Sequence, residues 1–194
     1  MARSLTRTGN RALTQVQATA GTLATSVGLL WIIEVINLGL GGSLVVFGIH
    51  PHTLMGLLGI LFAPFLHASL SHLMMNTVMF VVLGGILLLR DRRDFLAVSV
   101  LGALGSGLGA WVLGGAGTVH VGLSGVLFAY LGYLMARGIF ERSLVAILLS
   151  VAVTWLFGSM AWGVLPFTVG VSWQAHLFGF LTGILTAARL RVRG

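Results

Sequence analysis

Residues 65–93 read FLHASLSHLMMNTVMFVVLGGILLLRDRR, an apolar run from Phe65 to Leu89 closed by Arg90, Arg92 and Arg93 around Asp91. The run exceeds the roughly 20 apolar residues that a helix needs to cross a hydrocarbon core. A basic cluster at the end of such a run marks the cytoplasmic side. Working outward, runs of the same kind lie at 22–40, 95–114, 122–137, 143–163 and 169–188, so the chain is predicted to cross the membrane six times. Composition agrees: of 194 residues, 57% are apolar and only 8% charged, against about 25% charged in soluble domains. So few polar residues could not cover a water-facing surface, which excludes a soluble globular domain.

The net charge of +7 comes from eleven Arg with no Lys. A nucleic-acid binder gathers such cations into a patch on a soluble surface. Here Arg3, Arg7 and Arg11 precede the first run, Arg137 and Arg142 sit between the fourth and fifth, and Arg189, Arg191 and Arg193 follow the sixth. With an even number of spans all eleven fall on one side, so both termini are expected in the cytoplasm. Residues 1–21 then form a basic cytoplasmic segment and 189–194 a basic cytoplasmic tail of one membrane domain spanning 1–194. No A-x-A cleavage site follows the first run, which is read as a retained helix. The connection 41–64, broken by Gly41, Gly42, Gly48, Pro51 and Pro64, is apolar enough to dip into the outer leaflet. There is no Cys, hence no disulfide, thiolate metal site or cysteine nucleophile.

Polar groups at bilayer depth are costly and therefore candidates for function. Runs two, four and six all enter from outside, so their first turns share a depth. His72, Asn76, Ser124 and His176 lie one to two turns down, about 5–12 Å at 1.5 Å per residue. His72 and Asn76, four apart, share a helix face. A serine and a histidine in one layer suggest a nucleophile with its general base, and acyl transfer by that serine also needs hydrogen-bond donors for the developing oxyanion. His72, Asn76 and the Ser124 N–H could supply them. Asp91, Asp94 and Glu141 belong to the cytoplasmic side, so a dyad fits better than a triad. Each residue also has a plainer reading: a small residue such as Ser124 can serve helix packing, as can Gly102/Ser106, Ser106/Ala110 and Gly179/Gly183. His67 is expected to support the 41–64 connection, Glu34 to accept hydrogen bonds from it, and His50, His52 and His120 to sit at the outer water boundary.

At these residues the sequence resembles the rhomboid intramembrane serine proteases. Gly122-Leu123-Ser124-Gly125 is similar to the family's Gly-x-Ser-Gly motif, whose serine is the nucleophile. Ala175-His176-Leu177-Phe178-Gly179, continuing to Gly183, resembles the last-helix motif whose histidine is the base. His67-(x4)-His72-(x3)-Asn76 matches the second-helix pattern whose second histidine and asparagine help form the oxyanion hole. The resemblance implies an all-α, six-transmembrane-helix bundle in the plasma membrane, with no metal or cofactor. Its cavity would open to the extracytoplasmic side, covered by the first connection and gated by the fifth helix. Implied partners are transmembrane protein substrates and the lipid bilayer. His67, Gly122, Gly125 and Phe128 would support the site. Two departures stand out. The Trp-Arg pair that some members carry in the first loop is replaced by Gly48-Ile49-His50-Pro51-His52. The tyrosine that stacks on the base, four residues after the serine, is Phe128. The competing expectations are a client-binding relative that does not cut, and a small transporter or metal- or haem-binding protein built on His67, His72, His120 and His176.

Overall fold

A computed structural model describes residues 2–167 and 170–190, with side chains from Ala12 onward. Arg191 and Arg193 lie outside the described residues, as do the side chains of Arg3, Arg7 and Arg11. The chain is all-helical: α1 (Ala2–Gly39), α2 (Leu54–Phe62), α3 (Leu70–Met79), α4 (Gly85–Arg90), α5 (Arg92–Leu113), α6 (Ser124–Glu141), α7 (Leu144–Phe157) and α8 (Trp173–Arg189). A π-helical turn at Phe80–Gly84 joins α3 to α4 in one rod, and a 3-10 turn at Gly158–Val164 prolongs α7. Among the described residues there is no strand, only the isolated antiparallel bridge between Ile49 and His120.

Four of these rods are long and apolar enough to cross a membrane: Ala12–Gly39, Leu70–Arg90, Arg92–Leu113 and Leu144–Val164. The runs predicted at 122–137 and 169–188 became α6 and α8, which are shorter, and α6 lies innermost. From Gly125 to Leu134 every residue of α6 is buried. A helix apolar on all sides belongs in the centre of its bundle. There α8 crosses it backbone to backbone: a Cβ at Gly179 would fall inside the Gly125 carbonyl, one at Gly183 inside the Ala129 carbonyl, and one at Gly132 on the Phe180 carbonyl. On the other flank a Cβ at Gly102 would press on Ala129, and one at Gly125 on Ser106. The small residues read above as packing positions do pack.

Hydrogen-bonding caps move several predicted boundaries. The second span begins at Leu70 and not at 65, because the Ser69 side chain accepts from the His72 N–H (3.2 Å) and Leu66 is already extended. An Ser at this position satisfies one of the donors that a helix start leaves orphaned. His67 is therefore off the helix. Asp91, Ser143 and Ser172 cap α5, α7 and α8 in the same way. The connection 41–64 contains a helix of its own, α2, capped by Thr53. Gly56 and Gly59 let it lie directly on the main chain of Gly48, Ile49 and His50, contacts a Cβ would forbid. Residues 2–21, read as a basic segment ahead of the first span, continue the same helix.

Arg137 is the largest departure. Predicted in a cytoplasmic connection, it lies within α6 and is 6% exposed, because α6 runs on to Glu141. Its Nε donates to Glu141 (2.9 Å), another nitrogen lies 3.7 Å from Asp94, and its Nη1 donates to the Leu190 carbonyl. Arg90 pairs with Glu141, and Tyr133 donates to Asp94. This cluster ties α4, α5, α6 and the end of α8 together at one end of the bundle. Removing one partner of a buried ionic network leaves the others uncompensated, typically at about 3–5 kcal/mol. Arg137→Ala is expected to lower the thermal midpoint of detergent-solubilised protein markedly, and a midpoint within a degree of wild type would show the network to be idle.

Candidate active site

The opposite end of α6 begins with Leu123 in helical conformation and Ser124 at the first helical position, after Gly122 at φ +119°. That backbone conformation favours glycine, and the space does too: a Cβ at Gly122 would lie 2.6 Å from the His72 ring. The helix start leaves the Ser124 and Gly125 N–H groups without carbonyl partners among the described residues, as the first turn of any helix does. Both therefore point partial positive charge toward whatever sits in front of α6.

Ser124 Oγ is 2.8 Å from Nε2 of His176, one turn into α8. The other ring nitrogen, Nδ1, is 2.9 Å from the Gly163 carbonyl in the 3-10 turn after α7. A carbonyl can only accept, so Nδ1 carries the proton and Nε2 presents its lone pair to the serine hydroxyl. Phe128, one turn below Ser124, stacks on the imidazole with centroids 4.1 Å apart and planes 11° from parallel. The ring of His176 is thus held at both nitrogens and on one face.

His72 and Asn76 project from α3 into the cavity that Ser124 and His176 line, about 800 Å³ in volume. Asn76 is buried, and among the described residues its Nδ2 has no hydrogen-bond partner. A buried donor left unpaired is costly, which marks it as awaiting an acceptor. His67 stands behind His72, ring edge to ring at 5.2 Å, fully buried and outside the cavity wall. Burial first, and the nearby His72 second, push its pKa down to about 4. The His67 carbonyl receives an amide N–H of Asn37, which also donates to Glu34 and accepts from the Leu44 N–H. His67 and Glu34 thus brace the 41–64 connection through Asn37. Gly125 sits in the α5–α6–α8 packing and not on the cavity wall.

Two groups escaped the sequence reading, and a third, His120, was read without a place in the cavity. The Gly163 carbonyl is a main-chain atom in a segment with no motif. His120, expected at the water boundary, lines the cavity and bonds Thr118 at 2.9 Å, with burial lowering its pKa. Met160 closes the cavity from the α7 side. Of the four histidines considered as a cation or haem site, His72, His120 and His176 line the cavity, but among the described residues no three His, Asp or Glu are placed to hold a metal ion together.

The family model described as Rhomboid domain matches residues 54–193. Uncharacterized proteins of Mycobacterium bovis and of Mycobacterium tuberculosis are each 38% identical over 175 residues, which is 86% of this chain and 72% of theirs. An uncharacterized protein of Mycobacterium leprae is 34% identical over 174 residues, covering 86% and 69%.

Proposed function

The chain belongs to the rhomboid family, and from that premise we propose that it is an intramembrane serine endopeptidase acting through a Ser124–His176 dyad. The observation that carries this reading is the doubly tethered imidazole, with Nδ1 on the Gly163 carbonyl and Nε2 on Ser124 Oγ. A serine hydroxyl is a weak nucleophile until a base takes its proton. In the proposed reaction His176 takes the Ser124 proton as Oγ attacks the scissile carbonyl. The oxyanion is received by the Ser124 N–H, Asn76 Nδ2 and His72. His176, now an imidazolium, returns its proton to the leaving amine, and a water in the cavity hydrolyses the acyl-enzyme by the reverse proton route. No step calls for a metal or cofactor.

The substrates would be transmembrane proteins with a helix that unwinds near the cut, since a folded helix hides its carbonyls. One edge favours such an extended segment. His120 spends its backbone N–H and C=O on Ile49, whereas those of Val119 and Val121 make no backbone hydrogen bond among the described residues. Alternation along an extended chain turns them the other way, and both residues line the cavity. We take α6 and α8 as the second and third of three outside-to-inside spans, six in all. Both termini are then cytoplasmic and the cavity faces the extracytoplasmic side of the plasma membrane. The arginine distribution supports this orientation.

The test is labelling of solubilised, folded protein with a fluorophosphonate, repeated in lipid, beside cleavage of a transmembrane substrate. Labelling confined to Ser124 and cleavage by wild type are expected. Folded wild type that does neither would turn the reading to a relative that binds membrane clients without cutting them. Asn76→Ala tests the oxyanion assignment: losing one such donor costs about 10²–10³ in kcat, with KM little changed, whereas equal kcat would remove Asn76 from the mechanism.

A further inference from the structure

Between α1 and α5, two of the rods long enough to cross a membrane, runs a crevice of about 310 Å³. One stripe of α5 forms a wall, with Leu96, Val100 and Leu104 at four-residue steps, and α1 faces it with Ser26 and Leu29. The floor is a cluster of packed rings, Phe80, Phe95 and Tyr130, with centroids between 5.6 and 6.3 Å apart. No charged residue lines it. Ser99 donates to the Phe95 carbonyl at 2.6 Å and accepts from the Tyr130 hydroxyl at 2.7 Å, so neither hydroxyl awaits a polar occupant. The mouth is apolar as well: Leu29, Leu61, Leu96, Val100 and Leu104 are between 41% and 59% exposed, and at this depth what faces them is lipid.

The two ends of the crevice differ. At one end α2 lies across it: Ile60 sits so close to α5 that a Cβ at Gly107 would lie 2.5 Å from it, and Pro64 and Phe65 complete the roof. Toward the Asp91 end of α5, α1 supplies no lining residue before Ser26, and the crevice stays open. There Arg92 stands four residues before Leu96, and Arg93 seven before Val100, so both fall on the crevice stripe of α5. Both are exposed, and neither guanidinium has an ion-pair partner among the described residues. The neighbouring Asp91 carboxylate is engaged as the helix cap, accepting from the Arg93 and Asp94 N–H groups.

We propose that this crevice binds one acyl chain of an anionic phospholipid, with the phosphate on Arg92 and Arg93, and that the bound lipid braces the active-site helices from behind. That the lipid comes from the cytoplasmic leaflet rests on the orientation proposed above, and its effect on Ser124 rests on the dyad reading. The reach is right: Leu96 to Leu104 spans about 12 Å of helix, close to the ~15 Å of hydrocarbon that one leaflet supplies. The width excludes a substrate helix, which at about 10 Å across would displace on the order of 1,000 Å³ over that length. An acyl chain gains nothing hydrophobic by leaving the surrounding lipid, so what favours this site is packing against its walls together with the charge on the headgroup. The link to the active site is direct. Leu123 lines the crevice, while the next residue, Ser124, lines the catalytic cavity. Phe80 of the floor lies one turn past Asn76. A chain in the crevice therefore packs behind both the nucleophile and an oxyanion donor, and under the α2 connection.

The probe is a phosphatidylglycerol carrying a diazirine in one acyl chain, added to the full chain in phosphatidylcholine vesicles; after photolysis, mass spectrometry maps the adducts. Adducts on residues 96–104 of α5 and 26–29 of α1 are expected to saturate, and to be displaced by unlabelled phosphatidylglycerol but not by phosphatidylcholine. Arg92→Gln and Arg93→Gln are each expected to raise the half-saturating concentration about five-fold, the worth of one arginine near an anionic surface. Arg142→Gln, at an exposed arginine off this stripe, is expected to leave it unchanged. Val100→Trp fills the mouth from a lipid-exposed position, so the fold is not at risk, and thermal midpoints check this. It is expected to abolish the saturable adducts and to slow fluorophosphonate labelling of Ser124 about 10-fold, part of what a small misplacement of a reacting pair can cost. Adducts that never saturate, or that phosphatidylcholine displaces equally well, would be ordinary boundary lipid and would overturn the proposal. So would Arg92 and Arg93 variants that behave like Arg142→Gln, or displacement of the probe by a transmembrane substrate. Unchanged Ser124 labelling in Val100→Trp overturns the bracing role. Saturable adducts on a wild type whose Ser124 never labels overturn the protease reading and leave the lipid site standing.

Discussion

Ser124→Ala and His176→Ala are each expected to abolish fluorophosphonate labelling and to slow substrate cleavage by about 10⁴-fold or more, and the double variant is expected to be no slower than the worse single one. Groups that act as one unit in covalent catalysis lose nearly everything when either is removed, so their effects do not add. The geometry supports that expectation. Among the described residues the one side-chain hydrogen bond of Ser124 goes to His176 Nε2, so none of them but His176 is placed to activate the hydroxyl. His176 has no second task among the polar contacts, since Nδ1 serves only to hold the ring. Neither substitution should unfold the protein. Ser124→Ala removes one oxygen at the cavity wall, and alanine keeps the helix start. His176→Ala leaves Phe128 facing the cavity, which is already open. Thermal midpoints therefore act as the control, and cleavage of a transmembrane substrate in lipid is the measurement. Additive losses would mean that the two residues work in separate steps. Labelling that survives Ser124→Ala would mean that the nucleophile is another residue.

How much of this was legible in the sequence depends on which atoms carry the information. The i and i+4 spacing of His72 and Asn76 survives the shift of the helix start from 65 to 70, because both lie past the Ser69 cap. Ser124 and His176 were legible as polar groups at the same end of parallel runs, and the distance between them follows once α6 and α8 cross. Phe128 was readable as a ring one turn from the serine, and it does stack on the imidazole. Gly163 was not readable, because its contribution is a main-chain oxygen that any residue possesses. Its signal lies in a close approach that only folded coordinates contain. Arg137 was misplaced for a different reason. Charge at the end of an apolar run reads as the end of the helix, yet α6 continues to Glu141 and sets Arg137 in a cluster whose acids come from α5 and from its own next turn. His67 went from span to connection because one hydrogen-bonding serine outweighs four apolar neighbours in deciding where a helix begins. An apolar connection became α2 because Gly56 and Gly59 let a short helix lie on bare main chain.

Gly183→Val is expected to cost at least about 3 kcal/mol of stability, the upper end of what overpacking a tight interior usually costs, and to slow fluorophosphonate labelling by about 10²-fold or more in whatever fraction remains folded. In a bilayer, lipid tails are as apolar as the side chains, so helices associate through close van der Waals packing of small residues. The α6–α8 crossing takes this to the limit. The Ala129 carbonyl and the Tyr133 N–H of α6 occupy the volume that a Cβ at Gly183 would need, and the Gly125 carbonyl does the same at Gly179. These are backbone atoms within helices and cannot turn aside as a side chain would, so the helices must separate. Separation at Gly179 and Gly183 is separation at the site. Ser124 immediately precedes Gly125, and His176 lies three residues before Gly179, so the same displacement is passed to the 2.8 Å bond between them. A misplacement of about 1 Å at a reacting pair can cost 10²-fold. Gly28→Val is the control: a Cβ at that position of α1 would meet no atom of a neighbouring element within 4 Å, and the variant should label like wild type. If Gly183→Val also labels at the wild-type rate with an unchanged thermal midpoint, the crossing is more compliant than its contacts imply. The Ser124–His176 distance would then have to be set elsewhere, with the Gly163 tether and the Phe128 stack as the remaining restraints on the ring.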